Sequence, residues 1–183
     1  MGGSESSEQP ETLFTRLGGF YGIAAVVDEF SNRLIEDKMV GKESKNGFLR
    51  QWSVDNDPNN RRGKDKTKYR LPGLKHLRTD WLIDVAGGPT RFTSSKEQNP
   101  HDHLNLQLVH CPLKISDAEF AQVGQVLETV LIEFRVAAED RKTVLAAFRL
   151  HQEEVTFGHY HQERCAPSKR QSRFQEEEEE RDD

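Results

Sequence analysis

Long hydrophobic runs are missing from this sequence, and hydrophobic residues are few. Hydrophobic side chains make up 34% of the 183 residues, and charged side chains make up 31%. No apolar stretch approaches the roughly 20 residues that a helix needs to cross a bilayer, which excludes a protein built from membrane-spanning helices. The low hydrophobic share further indicates that part of the chain lies outside a smaller packed core.

Cysteine is scarce as well. Cys111 and Cys165 are the only two in the chain, which is too few for a disulfide framework. The opening residues also lack the basic start and the apolar stretch of a signal peptide, so we expect a reducing, cytoplasmic environment. Gly2 followed by Ser6 fits the N-myristoylation pattern, although a plain polar start accounts for the same residues. Contact with a membrane is expected only if Gly2 is acylated.

The body of the chain has no large excess of positive or negative charge. Seven acids and one arginine give residues 175–183 a charge of −6. Because the whole chain carries −5, the other 174 residues carry only +1. No extended positive field marks the body as a nucleic-acid binder, so we expect no nucleic-acid partner.

The hydrophobic residues that are present recur at spacings of three and four, which is typical of helices that face a core. The pattern begins after Gly18, returns after Pro72 and after Ser116, and ends in a last helix that starts near Asp140 and includes Val155. No segment alternates apolar and polar residues with period two, which is the pattern of a β-strand. The sequence therefore predicts an all-α fold.

Three segments depart from this pattern and set the expected domain organisation. We predict a disordered arm over residues 1–11, one helical domain over residues 12–158 and a disordered charged tail over residues 159–183. Within the domain, residues 41–72 interrupt the helical pattern and contain six basic residues between positions 61 and 70. Such a long connection is either functional or simply solvated. It is an electrostatic patch for an anionic partner, or it is a plain polar insertion.

Most enzyme signatures are absent, since the sequence has no Walker-type phosphate loop, no GxSxG turn and no HExxH helix. His159, His161 and Cys165 suggest zinc ligands, but their spacing matches no standard site and a polar tail explains them more simply. His110 ends the apolar segment LNLQLVH just before Pro112. A histidine at the edge of a core is usually structural, yet imidazole that emerges from an apolar wall is also how heme iron is held.

Four segments occur in one order: TLFTRLGG at 12–19, VVDEFSNRLIED at 26–37, WLIDVAGGP at 81–89 and LVHCPLKISDAEF at 108–120. Their layout resembles the truncated (two-over-two) hemoglobin family, in which two helices end in Gly-Gly and the proximal histidine precedes a capped long helix. The resemblance covers about residues 12–157 without the basic insertion. It implies a two-over-two helical sandwich with a long polar insertion, and it implies heme b as the cofactor.

The same resemblance implies which side chains surround the heme. His110 matches the proximal iron ligand, and Trp81 falls where the family places an aromatic ring against the heme. The implied pocket consists of Phe30, Ser31, Phe48, Leu74, Leu77, Arg78, Trp81 and Val123. Ser31 stands in place of the family's pocket tyrosine, leucines occupy the usual polar distal positions, and Arg78 brings a charge that needs a heme propionate or solvent as its partner. We therefore expect a pocket that holds oxygen weakly.

The implied function is reversible binding of a diatomic gas (oxygen, nitric oxide or carbon monoxide) at a histidine-ligated iron. The alternatives are a nitric oxide dioxygenase with a reductase partner, a gas- or redox-responsive interaction module, and a helical scaffold without heme. Lys75 and His76 are the nearest candidates for a sixth iron ligand, but their helical phase points them away from the face that carries Leu74. His151 and His161 are expected to lie outside the iron site.

Overall fold

The computed structural model describes residues 11–59, 69–92 and 106–165, which form eight α-helices and no strand. The helices are α1 (Leu13–Arg16), α2 (Gly19–Glu36), α3 (Gly47–Asn56), α4 (Leu71–Val85), α5 (Leu106–His110), α6 (Asp117–Glu133), α7 (Ala138–Arg149) and α8 (Gln152–Tyr160). Short 3₁₀ turns follow α5 and α8, at Cys111–Leu113 and Gln162–Arg164. The predicted all-α fold is confirmed. Within these ranges, no helix is both long enough and apolar enough to span a membrane.

Local signals in the sequence set several of the helix ends. Gly18, with φ 84°, adopts the left-handed conformation between α1 and α2 that glycine tolerates without strain. Ser116 and Glu119 form a reciprocal capping box at the start of α6: the Ser116 hydroxyl accepts from the Glu119 N–H, and the Glu119 carboxylate accepts from the Ser116 N–H. These ends agree with those predicted from the sequence.

The core lies where α2 packs between α4 and α6, while α6 also packs against α7 and α8. Its fully buried side chains come from α2, α4, α6 and α7. They are Ile23, Leu82, Ile83, Val130, Leu131 and Val144. Burying one such side chain contributes about 1.5–3 kcal/mol. The short helix α5 lies apart from this core and packs mainly on α8.

The predicted interruption over residues 41–72 is wrong in part, because it contains helix α3. Asn46 caps α3 through its side-chain oxygen, which accepts from the N–H groups of Phe48 and Leu49. The helix buries two polar side chains, Ser53 and Asn56, so its inner face shows little hydrophobic periodicity. The Asn56 side-chain oxygen accepts from the Arg70 N–H at 2.7 Å and thereby joins the end of α3 to the start of α4. Most of the basic run, residues 60–68, lies outside the described residues.

The predicted boundary at residue 159 is also corrected. Helix α8 continues to Tyr160 and is separated from α7 by a break at Leu150 and His151, where one continuous helix was expected. Cys165 forms a disulfide bond with Cys111, with their Cα atoms 5.7 Å apart. The two cysteines are 54 residues apart in the sequence, so no local sequence pattern predicts the bond. The arm over residues 1–10, including Gly2, and the tail over residues 166–183 lie outside the described residues.

Removing the disulfide should destabilise the protein. Closing a loop of 54 residues lowers the entropy of the unfolded chain and is worth about 4 kcal/mol in the chain-entropy model. We expect Cys165→Ser to unfold at a lower temperature than the wild type without reductant, measured by circular dichroism. Dithiothreitol should lower the wild-type midpoint toward that of the variant and leave the variant unchanged. A wild-type midpoint that is insensitive to reductant would contradict the pairing.

Candidate functional site

Side chains from three parts of the fold converge around His110. Ser31 lies on α2, Arg78 and Trp81 lie on α4, and His151 occupies the break between α7 and α8. Hydrogen bonds join Arg78 to Ser31 and Trp81 to His151. Arg78 and His151, one member of each bonded pair, are near enough to His110 to lower its pKa slightly. These five side chains define the candidate site.

His110 is held in the form that binds metals. Its Nδ1 lies 2.8 Å from the Leu106 carbonyl oxygen and donates to it, because a carbonyl can only accept. The proton is therefore on Nδ1, and Nε2 keeps its lone pair. Burial, with smaller contributions from Arg78 and His151, lowers the pKa of His110 to about 4, against the opposite effect of the Leu106 bond. A neutral imidazole with its Nδ1 bonded to a backbone carbonyl is the usual state of a histidine ligand.

The residue after His110 is fixed from two directions. Cys111 is buried and bonded to Cys165, beyond the end of α8. Gly158 of α8 lies against the same residue, because a Cβ atom added at Gly158 would overlap the Cys111 carbonyl oxygen. Sequence reasoning missed both contacts, and the glycine inside an otherwise helical segment was the signal that could have indicated a close approach.

Arg78 reaches from α4 to two side chains of α2. Its Nη1 donates to the Ser31 hydroxyl at 2.9 Å, and its guanidinium carbon lies 5.2 Å from the centre of the Phe30 ring. The residue is half-buried, and this burial lowers the pKa of Arg78 to about 10. The guanidinium thus contacts a buried hydroxyl and an aromatic ring, and the expectation that its charge pairs with a heme propionate or solvent stays a prediction.

Trp81 is held by a histidine that the sequence analysis places outside the site. The Trp81 indole N–H donates to His151 Nε2 at 3.1 Å, so His151 carries its proton on Nδ1 and donates it toward Glu154 at 3.3 Å. The chain Trp81–His151–Glu154 fixes the indole. This role was not predicted, because His151 lies at a break between α7 and α8 where the sequence pattern predicts one continuous helix.

The other predicted pocket residues are less directly tied to His110. Leu74 and Leu77 are half-buried on α4, and Val123 packs against the core from α6. Phe48 lies on α3, where the Lys114 ammonium stands 4.9 Å from its ring centre. No described hydrogen bond or ring contact joins these four side chains to His110 or Arg78.

The side chains named as sixth-ligand and zinc candidates have other arrangements. The Lys75 ammonium donates to Asp28 and Asn32 of α2, and His76 is exposed, as their helical phase predicts. The sulfur of Cys165 is part of the disulfide. Among the residues that the structure describes, no three His, Cys, Asp or Glu side chains form a group that could hold a metal ion.

Comparison with known proteins gives one result at the level of structure. No protein-family model and no curated protein matches the sequence. The fold is similar to the solved 2/2 hemoglobin from Synechococcus sp. PCC 7002, in the cyanomet state and with covalently attached heme. The TM-score is 0.57 at 18% identity, and the match covers 80% of this chain and 98% of the other. The chain has the two-over-two globin fold.

The globin fold confirms the architecture that the family resemblance implied. At 18% identity it carries no information on individual side chains, so the roles of the site residues depend on their own geometry. The most demanding part of that geometry is the close packing of α8 on Cys111.

Gly158→Ala should therefore be costly. The added methyl group must push α8 away from Cys111, and overpacking of this kind typically costs about 1–3 kcal/mol. Gly73→Ala in α4 is the matched control, since a Cβ there meets nothing within 4 Å and alanine favours a helix by up to about 1 kcal/mol. Urea unfolding should show a less stable Gly158→Ala and an unchanged or more stable Gly73→Ala. Equal changes in both would mean that α8 does not lie on Cys111.

Proposed function

We propose that the protein binds heme b through His110 and takes up oxygen or another diatomic gas at the opposite face of the iron. The observation that carries this proposal is the state of His110 within a globin fold: a neutral imidazole with Nδ1 bonded to Leu106 and Nε2 carrying a lone pair. A relative with the same fold, the Synechococcus hemoglobin, holds heme.

The residues present fit the cofactor. Heme iron with one histidine ligand supplies an open coordination position for a diatomic gas. The hydrogen bond from Nδ1 to Leu106 fixes the orientation of the imidazole and increases its basicity as a ligand. The packing of α8 on Cys111 limits movement of the histidine, and the bond to His151 holds the Trp81 ring in place.

The ligand side offers hydrogen-bond donors on Arg78. A gas that acquires negative charge on its outer atom is held selectively by hydrogen-bond donors, and one such bond of about 1–1.5 kcal/mol changes affinity roughly tenfold. Ser31 and the leucines suggest an apolar pocket, but the Arg78 guanidinium brings several N–H groups to this side. We therefore replace the expectation of weakly held oxygen with one in which Arg78 is the stabilising donor.

Two further functions stay predictions from the sequence. Nitric oxide dioxygenation requires a reductase partner, and an interaction module would use the basic run and the acidic tail. Most of that run and all of residues 166–183 lie outside the described residues, so no geometric observation favours either function.

His110→Ala should lose most of the bound heme, because no other described histidine shares its position next to Arg78. The protein is reconstituted with heme, and the Soret band is measured after gel filtration. Added imidazole should restore part of the band by filling the space of the missing ring. His161→Ala is the control, since that ring packs on Phe157 at 4.5 Å and should leave heme binding unchanged. Equal loss in both variants, or a wild type without a Soret band, would refute the proposal.

A further inference from the structure

Arg78 carries a charge that no described acid neutralises. Among the described residues, no ion pair includes Arg78, and its partners are the Ser31 hydroxyl and the Phe30 ring. Three other arginines pair with carboxylates (Arg16 with Asp140, Arg33 with Glu29 and Glu133, and Arg91 with Asp84), whereas Arg50 and Arg141 donate to backbone carbonyls.

Arg78 remains a cation at neutral pH. Burial lowers its pKa to about 10, which still leaves the guanidinium protonated at pH 7. A buried charge without a counterion is costly, and a chain normally avoids it by pairing the group with an acid. Ser31 is itself 1% exposed, so the hydroxyl end of this pair is shielded from water. The site therefore contains strong donors and a positive charge that an incoming anion can match.

The charge is also directed toward the ligand side. Arg78 bridges from α4 to α2 through Ser31, the position of the family's pocket tyrosine, and its field reaches the His110 imidazole. His110 keeps a lone pair on Nε2, and the side chain that Arg78 contacts besides Ser31 is the aromatic ring of Phe30.

We infer that Arg78 makes the ligand side of the pocket selective for small monovalent anions, such as azide or nitrite, over neutral ligands of similar size. The inference rests on the proposed heme site, since the oxidised iron is the other group that the anion would contact. The Ser31 hydroxyl is a weak, neutral acceptor that an anion can replace, and charge-assisted hydrogen bonds are about twice as strong as neutral ones.

The test compares an anionic with a neutral ligand on the reconstituted ferric protein. Azide and imidazole are titrated at pH 7 and constant ionic strength, and the Soret shift gives each dissociation constant. Arg78→Met keeps most of the side-chain volume but removes the charge, and it should weaken azide binding roughly tenfold or more. Imidazole binding should stay the same or tighten. Arg78→Lys should retain part of the azide affinity, and Arg91→Leu, on an exposed arginine, should change neither constant.

The outcomes separate the inference from the proposed function. Absence of a Soret band in the wild type refutes heme binding. A normal Soret band with azide affinity that is unchanged in Arg78→Met overturns the anion selectivity. If Arg78 instead pairs with a heme propionate, the Arg78→Met variant will lose heme to apomyoglobin faster than the wild type. The ratio of azide to imidazole affinity will then stay constant, and this result also overturns the anion selectivity.

The thermal stability of the heme-free protein also depends on the charge of Arg78. Replacing a cation that lacks a counterion with an apolar side chain should stabilise the heme-free protein. We expect Arg78→Met to raise its thermal midpoint, whereas Arg16→Met, which breaks the pair with Asp140, should lower it. A lower midpoint in Arg78→Met would show that the guanidinium is already satisfied by the protein and would contradict the inference.

Discussion

The packing of α8 against Cys111 is the constraint on which the candidate site depends. Helix α5 has only five residues, too few to be stable without tertiary contacts, and its last residue is His110. What fixes it is the contact of Gly158 with the Cys111 backbone and the disulfide to Cys165. A histidine at the end of so short a helix would otherwise have many orientations. The C-terminal helix thus determines where the imidazole stands, although it contributes no ligand of its own.

The two sides of the site differ in charge for physical reasons that reinforce each other. On one side, burial and the bond to Leu106 keep His110 neutral with its lone pair on Nε2. On the other side, Arg78 retains its proton because its ordinary pKa lies so far above neutrality that burial cannot remove it. The cation in turn disfavours a second positive charge on His110. An acid beside Arg78 would cancel both effects, and none of the described ion pairs supplies one.

The sequence predicts those parts of the structure that have local causes. The glycine turn at Gly18, the capping box at Ser116 and the periodic faces of α2 and α6 all agree with the structure. Helix α3 is not predictable in this way, because its buried face is largely polar. The disulfide and the contact at Gly158 join residues some fifty positions apart, and His151 acquires its role only when the helix breaks beside Trp81. Long-range contacts of this kind have no period or motif.

The serine at position 31 and the arginine at position 78 are best understood together, because their side chains bond to each other. Serine has a short side chain, and its buried hydroxyl leaves room for the guanidinium that bonds to it from α4. A tyrosine at position 31 would place a larger side chain beside Arg78, and it would move the hydroxyl that now accepts from the guanidinium. A neutral donor on α2 is thus replaced by a charged donor on α4. Under the proposed function, the pocket keeps a hydrogen bond for its ligand, and because the donor is a cation, we expect the preferred ligand to carry negative charge.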